Sequence, residues 1–246
     1  MEAPAINGNK VYFTPGGDSI SMVALNTETG ATIWKSKATS EQTAYCSPLL
    51  FEHNSKKYIV TSFTDNIECF DAETGTFLWK ISQKNRYSIH PNTPIYKDGC
   101  VYSISGYKTG GVMIKLSDDG KTATEIWRNE SMDNQIGGAV WLDKYIVSSG
   151  HENDREWQAL DAQTGKVTFK TDSLGKGAVV YADGLYYCYA DNGVLGILEL
   201  KDNGFSVKSK FRITLGSDQH WAHPVIDKGI MYIRHGNTLM AYSIKQ

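Results

Sequence analysis

Short apolar runs separated by tight-turn residues fill this chain, and none of them keeps a helical period for any length. Between residues 93 and 128 the pattern predicts four strands: Thr93 to Lys97, the turn Asp98-Gly99, Cys100 to Ser105, a loop, Gly111 to Leu116, the turn Asp118-Asp119-Gly120, and Thr124 to Arg128. Asp-Gly and Asn-Gly pairs between such runs are hairpin signals, because these residues accept the backbone angles of the turns that match strand twist.

The same unit recurs along the chain. Leu25-Asn-Thr-Glu-Thr-Gly-Ala-Thr-Ile-Trp34, Phe70-Asp-Ala-Glu-Thr-Gly-Thr-Phe-Leu-Trp79 and Leu160-Asp-Ala-Gln-Thr-Gly-Lys-Val-Thr-Phe169 read alike, and degenerate copies end at Trp127 and Phe211. These aromatics are spaced by 45, 48, 42 and 42 residues, the length of four short strands with turns. A second marker runs in phase: Pro4, Pro94 and Pro224 each precede Tyr12, Tyr102 or Tyr232 by eight residues, and Val179 precedes Tyr187 by the same step. Pro48 and Ala139 fill the remaining two slots. Proline suits the first residue of a strand or an edge strand, because it lacks the N–H that a ladder needs.

A sheet of some forty residues cannot cover both its faces alone and must stack on its neighbours. The repeat therefore predicts an all-β fold, a β-propeller of four-stranded antiparallel blades in one domain, residues 1–246. The blades are expected at about 3–38, 44–82, 90–130, 137–172, 177–213 and 222–246, the last of them incomplete. Trp34, Trp79 and Trp127 are expected to pack across to the next blade. In each Asp-x-x-Thr-Gly turn, Asp71 or Asp161 is placed to bond its own backbone two residues on, while Gly75 or Gly165 takes positive φ.

Composition and charge narrow the partners. A net charge of −2, with acids and bases mixed along the chain, leaves no basic stripe of the kind nucleic acid requires. No run approaches the ~20 apolar residues of a membrane helix, and the first residues carry no signal-peptide core. Cys46, Cys69, Cys100 and Cys188 form no CxxC pair and are read as small buried hydrophobes.

The loops from each outer strand to the next inner strand open on one face around the propeller axis, so polar residues there converge although distant in sequence. The segments are 44–47, 86–92, 133–135, 175–177 and 219–223. They share a phase of the repeat yet differ in residue, as expected if the blades jointly build one asymmetric site. The candidate ligand-binding residues are Tyr45, Arg86, Tyr87, His90, Asn92, Asn134, Gln135, Lys176, His220 and His223. Asn92, Asn134 and Gln135 offer both donors and acceptors, Arg86 a forked donor, Tyr45 and Tyr87 flat apolar surface, and Lys176 a cation between two glycines. His220 and His223 form an H-x-x-H without a third ligand nearby, so no metal site and no catalytic residue is assigned. The bland alternative is that the histidines bond neighbouring backbone and the tyrosines pack between blades.

The Ala-x-Asp-x-x-Thr-Gly-x-x-x-Trp pattern, clearest at 69–79 and 159–169, resembles the tryptophan-docking repeat of quinoprotein-type (PQQ-like) propellers along the whole chain. The stretches 84–94, 133–138, 174–177, 219–225 and 232–236 resemble an exported bacterial group labelled PQQ-binding-like or polyvinyl-alcohol-dehydrogenase-like. The resemblance implies a periplasmic or otherwise exported protein. It also implies a longer relative with further blades, so this chain is expected to be a fragment of an eight-bladed propeller or a six-bladed ring with an incomplete last blade.

Three functions follow from it. The first is a binding module for a small polar molecule or sugar, the second a scaffold of the cell envelope that docks proteins, and the third a quinoprotein-type alcohol dehydrogenase with PQQ and calcium. Dehydrogenases of the third kind use an adjacent-cysteine disulfide, a calcium held by carboxylate and amide, and a catalytic aspartate. Here no two cysteines are adjacent, and only Asp133 and Asp218 stand out in the loop segments, so the balance leans away from an enzyme.

Overall fold

In the computed structural model, which describes residues 2–244, every regular element is a strand and all strand pairings are antiparallel. Lys245 and Gln246, the last residues of the expected sixth blade, lie outside the described residues. The chain divides into two compact units, residues 1–129 and 130–246.

The first unit holds three sheets, each with its strands paired in chain order. They are β1–β4 (Ala5–Asn7, Lys10–Phe13, Val23–Asn26, Thr32–Lys35), β5–β8 (Leu49–His53, Lys56–Ser62, Asn66–Asp71, Phe77–Ser82) and β9–β12 (Ile95–Lys97, Cys100–Ser105, Gly110–Leu116, Ala123–Asn129). The second unit repeats the scheme with β13–β16 (Val140–Leu142, Tyr145–Ser149, Trp157–Asp161, Val167–Thr171), β17–β20 (Gly177–Ala182, Leu185–Ala190, Val194–Lys201, Gly204–Arg212) and β21–β23 (Val225–Asp227, Ile230–His235, Thr238–Ser243). The last sheet has three strands among the described residues.

One cross-strand row recurs in all six sheets and explains the proline–tyrosine marker. It runs Ala5, Tyr12, Ala24, Trp34 in the first sheet, Leu49, Val60, Cys69, Trp79 in the second and Ile95, Tyr102, Met113, Trp127 in the third. In the second unit it runs Val140, Val147, Ala159, Phe169, then Val180, Tyr187, Ile197, Ser209, then Val225, Tyr232, Ala241. Immediately after this row, every third-to-fourth strand pair slips by one residue, a bulge that adds twist and turns the outer strand.

The row shows that Phe211 is displaced from the place its spacing predicts. The register partner of Trp34 and Trp79 in the fifth sheet is Ser209, and Phe211 lies two residues further along the same face.

Hydrophobic cores lie between consecutive sheets. Tyr12, Trp34, Ile59 and Phe70 join the first and second sheets, and Val60, Trp79, Val101 and Ile114 the second and third. In the second unit Val147, Ala159, Val179 and Cys188 join one pair, and Tyr187, Leu195, Met231 and Ile233 the next. The middle strands β6, β10, β14 and β18 are therefore buried along almost their whole length, whereas outer strands such as β4 bury every other residue or fewer, as sheets covered on both faces require.

The repeat's turn chemistry is as its sequence reads. Asp71 Oδ1 accepts the Glu73 and Thr74 N–H groups at 2.9 and 2.8 Å, Asp161 does the same for Gln163 and Thr164, and Gly75 and Gly165 have φ of 72° and 69°. The turn also receives the preceding sheet. Trp34 Nε1 donates to Ala72 O at 3.2 Å, and Trp79 Nε1 to Gly120 O at 3.3 Å. A Cβ at Gly75 would lie 2.4 Å from the Trp34 ring, so glycine serves both the backbone angle and the close approach. Cys46, Cys69 and Cys188 are buried and Cys100 half-buried. No helix among the described residues is long and apolar enough to cross a membrane.

Candidate functional site

In an up-and-down sheet the strand connections alternate ends, so the loop after strand four emerges at the same end as the loop between strands two and three. The candidate residues sit in the first kind of loop, and His90, Tyr87 and Lys176 meet Thr64, Tyr107 and Asp191 in the second kind.

In the first unit the five candidates divide into a buried pair and an exposed trio. His90 is buried; its Nδ1 lies 2.8 Å from Ser105 Oγ and its Nε2 3.1 Å from Thr64 O. Burial holds its pKa below the ordinary histidine value, so the ring is neutral, donating from Nε2 to the carbonyl and accepting at Nδ1 from the serine. Asn92 is buried too, its Nδ2 donating to Ile104 O at 3.3 Å. His90 N–H donates to Ala44 O, and the Cys46 thiol to Asn92 O, which fastens this loop to the one carrying Tyr45.

The other three are exposed. Tyr45, 53% exposed, has φ of +68°, a left-handed conformation that costs a non-glycine residue of order 1 kcal/mol and that its surroundings must enforce. Tyr87, 54% exposed, meets Tyr107 edge-on at 4.7 Å, and the Arg86 guanidinium lies 4.8 Å above its ring. Tyr107 belongs to the loop between strands two and three.

In the second unit four of the five candidates line one cleft. Asn134, Gln135, Lys176 and His220 share it with Ser149, Asp191 and Trp221. Its room, about 20 Å³, suits about one water-sized group and is far below the ~300–1,000 Å³ of a small-molecule pocket. Asn134 is buried, its Nδ2 donating to Ser149 Oγ and Gly177 O at 3.0 Å each. Gly177 is obligatory here, since a Cβ would stand 1.9 Å from Tyr189 O. Lys176 Nζ is 3.3 Å from the Asp191 carboxylate. The fifth candidate, His223, leaves the cleft and bonds through Nε2 to Ile136 O.

His220 is the most constrained of these groups. Its Nδ1 is hydrogen-bonded to the Tyr189 hydroxyl, and its ring stacks on His235 with centroids 3.7 Å apart and planes 18° apart. Burial, then the neighbouring His235 and Arg212, lowers its pKa, while burial pushes the Tyr189 phenol up to about 12. The phenol therefore donates to a neutral imidazole, whose remaining N–H is on Nε2. His235 in turn is buried with its ring nitrogens 2.8 Å from Leu215 O and Asp218 O, which ties down the loop bearing Leu215 and Trp221. Both of those side chains are exposed, at 62% and 53%.

Sequence reasoning missed Ser149, Asp191, His235, Tyr107 and Trp221 as site-forming residues. The alternation of strand ends was the available signal for the first four, because the loops after β10, β14, β18 and β22 open beside the candidates.

A PQQ–calcium centre does not fit these residues. Both Asp133 carboxylate oxygens take backbone N–H groups, from His151 at 2.7 Å and Glu152 at 3.0 Å, and the side chain is fully buried. Asp218 accepts the Gln219 N–H and is exposed. Among the described residues no three His, Cys, Asp or Glu side chains gather as metal ligands.

Five four-stranded sheets and a sixth with three described strands, packed with cores between sheets, define a β-propeller, and the solved structures similar to this chain are propellers as well. BamB from Moraxella catarrhalis matches with a TM-score of 0.71 over 97% of this chain and 70% of its own, at 15% identity. A europium-containing methanol dehydrogenase matches with a TM-score of 0.65 over 98% of this chain and 66% of its own, at 12% identity. The sequence profile described as outer membrane protein assembly factor BamB, PQQ_2, covers residues 1–171, and the chain belongs to that family. Among curated proteins, tetrathionate hydrolase from Acidithiobacillus ferrooxidans is 23% identical over 271 residues, all of this chain and 51% of that protein. The chain thus spans about half the length of this relative.

Proposed function

We propose that this chain is a protein-docking propeller of the bacterial cell envelope, exported to work there, which grips partners with the loops that follow its outer strands. The observation that carries the reading is the cleft of the second unit, which has room for one small polar group and is rimmed by the exposed Trp221. An exposed aromatic beside a narrow polar socket is the form of an interface hot spot, where one inserted side chain finds donors and acceptors and the ring shields it from water. In the first unit Tyr45, Arg86 and Tyr87 play the same role beside the buried His90 and Asn92. Membership of the BamB family supports the reading, since its description names an assembly factor of outer membrane proteins.

The test is crosslinking from a photoreactive residue at position 221 in envelope-expressed protein, followed by affinity measurement against the purified partner so identified. Trp221→Ala is expected to weaken that affinity by about 2 kcal/mol, roughly thirtyfold. An affinity unchanged by Trp221→Ala and by Tyr87→Ala would overturn the proposal.

A second reading is favoured by one observation, that Asn134, Gln135, Lys176 and His220 line a single cleft. They would hold one hydroxyl, amide or carboxylate of a small polar ligand, with the rest of the molecule outside. Calorimetric binding of a monosaccharide or amino acid, lost in Asn134→Ala, would favour this reading over docking.

A further inference from the structure

Two seams between consecutive sheets, one in each unit, can be matched position by position. Counted from the recurrent row, Leu142 and Tyr145 of the fourth sheet hold the register places of Phe51 and Tyr58 in the second. In the same way Tyr181 and Tyr186 of the fifth sheet hold the places of Tyr96 and Val101 in the third. All four of these sheets have their four strands.

Between the second and third sheets the place is full. The Phe51 ring stacks on Tyr96 with centroids 4.4 Å apart, and the β5–β6 hairpin runs one pair further, to His53 and Lys56. The buried His53 ring has Nδ1 2.9 Å from the Tyr96 hydroxyl and Nε2 3.0 Å from Ser117 O, in the turn between β11 and β12. One flat apolar ring and one ring bearing an N–H thus plug the seam.

Between the fourth and fifth sheets both plugs are gone. The β13–β14 ladder ends at the pair Leu142 and Tyr145, so no residue corresponds to His53, and leucine stands where phenylalanine stood. A groove of about 320 Å³ lies there, lined by Leu142, Tyr145, Tyr181, Tyr186 and Asp202, at the lower end of the ~300–1,000 Å³ of small-molecule pockets. Tyr181 is 37% exposed and meets Tyr186 at 4.9 Å between centroids. Burial, with Tyr181 and Asp143 close by, pushes the Tyr186 phenol up to about 12, so its hydroxyl stays a donor. The lysines of the groove are turned to other groups: Lys144 Nζ lies 5.1 Å from the centre of the Tyr145 ring, and Lys201 Nζ 3.0 Å from the Glu199 carboxylate. The exposed Asp202 carboxylate is left as the acceptor in the turn between β19 and β20, which matches the turn bearing Ser117.

We propose that this groove binds a small aromatic amine. Its flat ring lies on Tyr181 as Phe51 lies on Tyr96, and its cationic N–H group reaches Asp202 as the His53 N–H reaches the Ser117 carbonyl. Ring pairing and a charge-assisted hydrogen bond supply the affinity. The groove is at the opposite end of its sheets from the loops that follow the outer strands, so it stands whether or not those loops dock partners.

Tyramine, titrated into the 246-residue protein and followed by calorimetry, tests it. Cyclohexylethylamine keeps the charge without the flat ring, and hydroxyphenylacetate keeps the ring with the opposite charge; each is expected to bind about tenfold more weakly than tyramine or worse. Leu142→Phe restores the ring that fills the other seam, and Tyr181→Ala removes the platform; either is expected to weaken tyramine about tenfold. Equal binding of the three compounds, no tyramine binding at millimolar concentration, or binding unchanged by both substitutions would overturn the proposal. In the unaltered protein, tyramine is expected to shift the ring resonances of Tyr181 and Tyr186, a readout that holds even where a variant fails to fold. Shifts confined to Tyr45 and Tyr87 would put the compound at the loops instead and sink the idea.

Discussion

In the first unit two tryptophans close outer strands onto the following sheet, each with its indole N–H at a backbone carbonyl. In the second unit the same register position holds a half-buried Phe169 and then Ser209. Both units bury polar groups: Glu68, Gln83 and His90 in the first, where Gln83 donates to Ser103 O and Gly110 O, and Asp133, Asn134 and Gln158 in the second. The second unit has grooves of about 700 and 320 Å³ beside β18 as well as the polar cleft. Where the closing position holds Phe169 or Ser209 in place of a tryptophan, grooves of this size lie in the same unit.

The comparison is broken most directly by removing the closing ring. Trp79→Ala is expected to cost about 3–5 kcal/mol, the range for a buried aromatic truncated to a cavity, and Phe169→Ala about half of that or less, since its ring is only partly buried. Urea denaturation of the two variants measures the difference, and equal losses would mean the two units are sealed alike.

Next in size is the carboxyl at Glu68. One of its oxygens accepts from Thr39 Oγ1 at 2.9 Å, and the other has no partner. Burial raises its pKa to about 7. The folded state then keeps a proton that the unfolded chain, at an ordinary value near 4.3, gives up. The contribution of this group to stability is therefore greatest below about pH 4.3, falls as pH rises, and is lost, up to about 3 kcal/mol, once pH exceeds 7. Glu68→Gln is expected to flatten that slope between pH 5 and 8 in thermal melts; an unchanged slope would place the titrating group elsewhere. The smallest effect is expected at Lys176, whose ion pair with Asp191 is partly exposed. Lys176→Ala should change stability by no more than about 1 kcal/mol, so a larger loss would show that the cleft is part of the fold's support.

The sheets were legible in the chain because cross-strand rows recur. The eight-residue step from Pro4 to Tyr12 spans one residue of lead and one hairpin, and the Thr-Gly turn carries its own Asx bonding. The displacement at Phe211 was not legible, since spacing counts chain length whereas the bulge and hairpin set register. The ten candidate residues were found by the phase of their loops, which places them at one end of each sheet. What side chains do there depends on burial, which residue type alone does not reveal: His90 and His220 read alike, yet one is sealed beneath a loop and the other lines a cleft.

The buried cysteines give this architecture a built-in stopwatch. Cys69 stands opposite Trp79 on the neighbouring strand in the first unit and Cys188 lies within the second, and burial pushes both thiols well above their ordinary pKa. As protonated, covered thiols they are poor nucleophiles and poor targets for oxidants. Alkylation at either one is thus limited by how often its own half of the chain breathes, and two reaction rates in a single sample separate the opening of one half from that of the other.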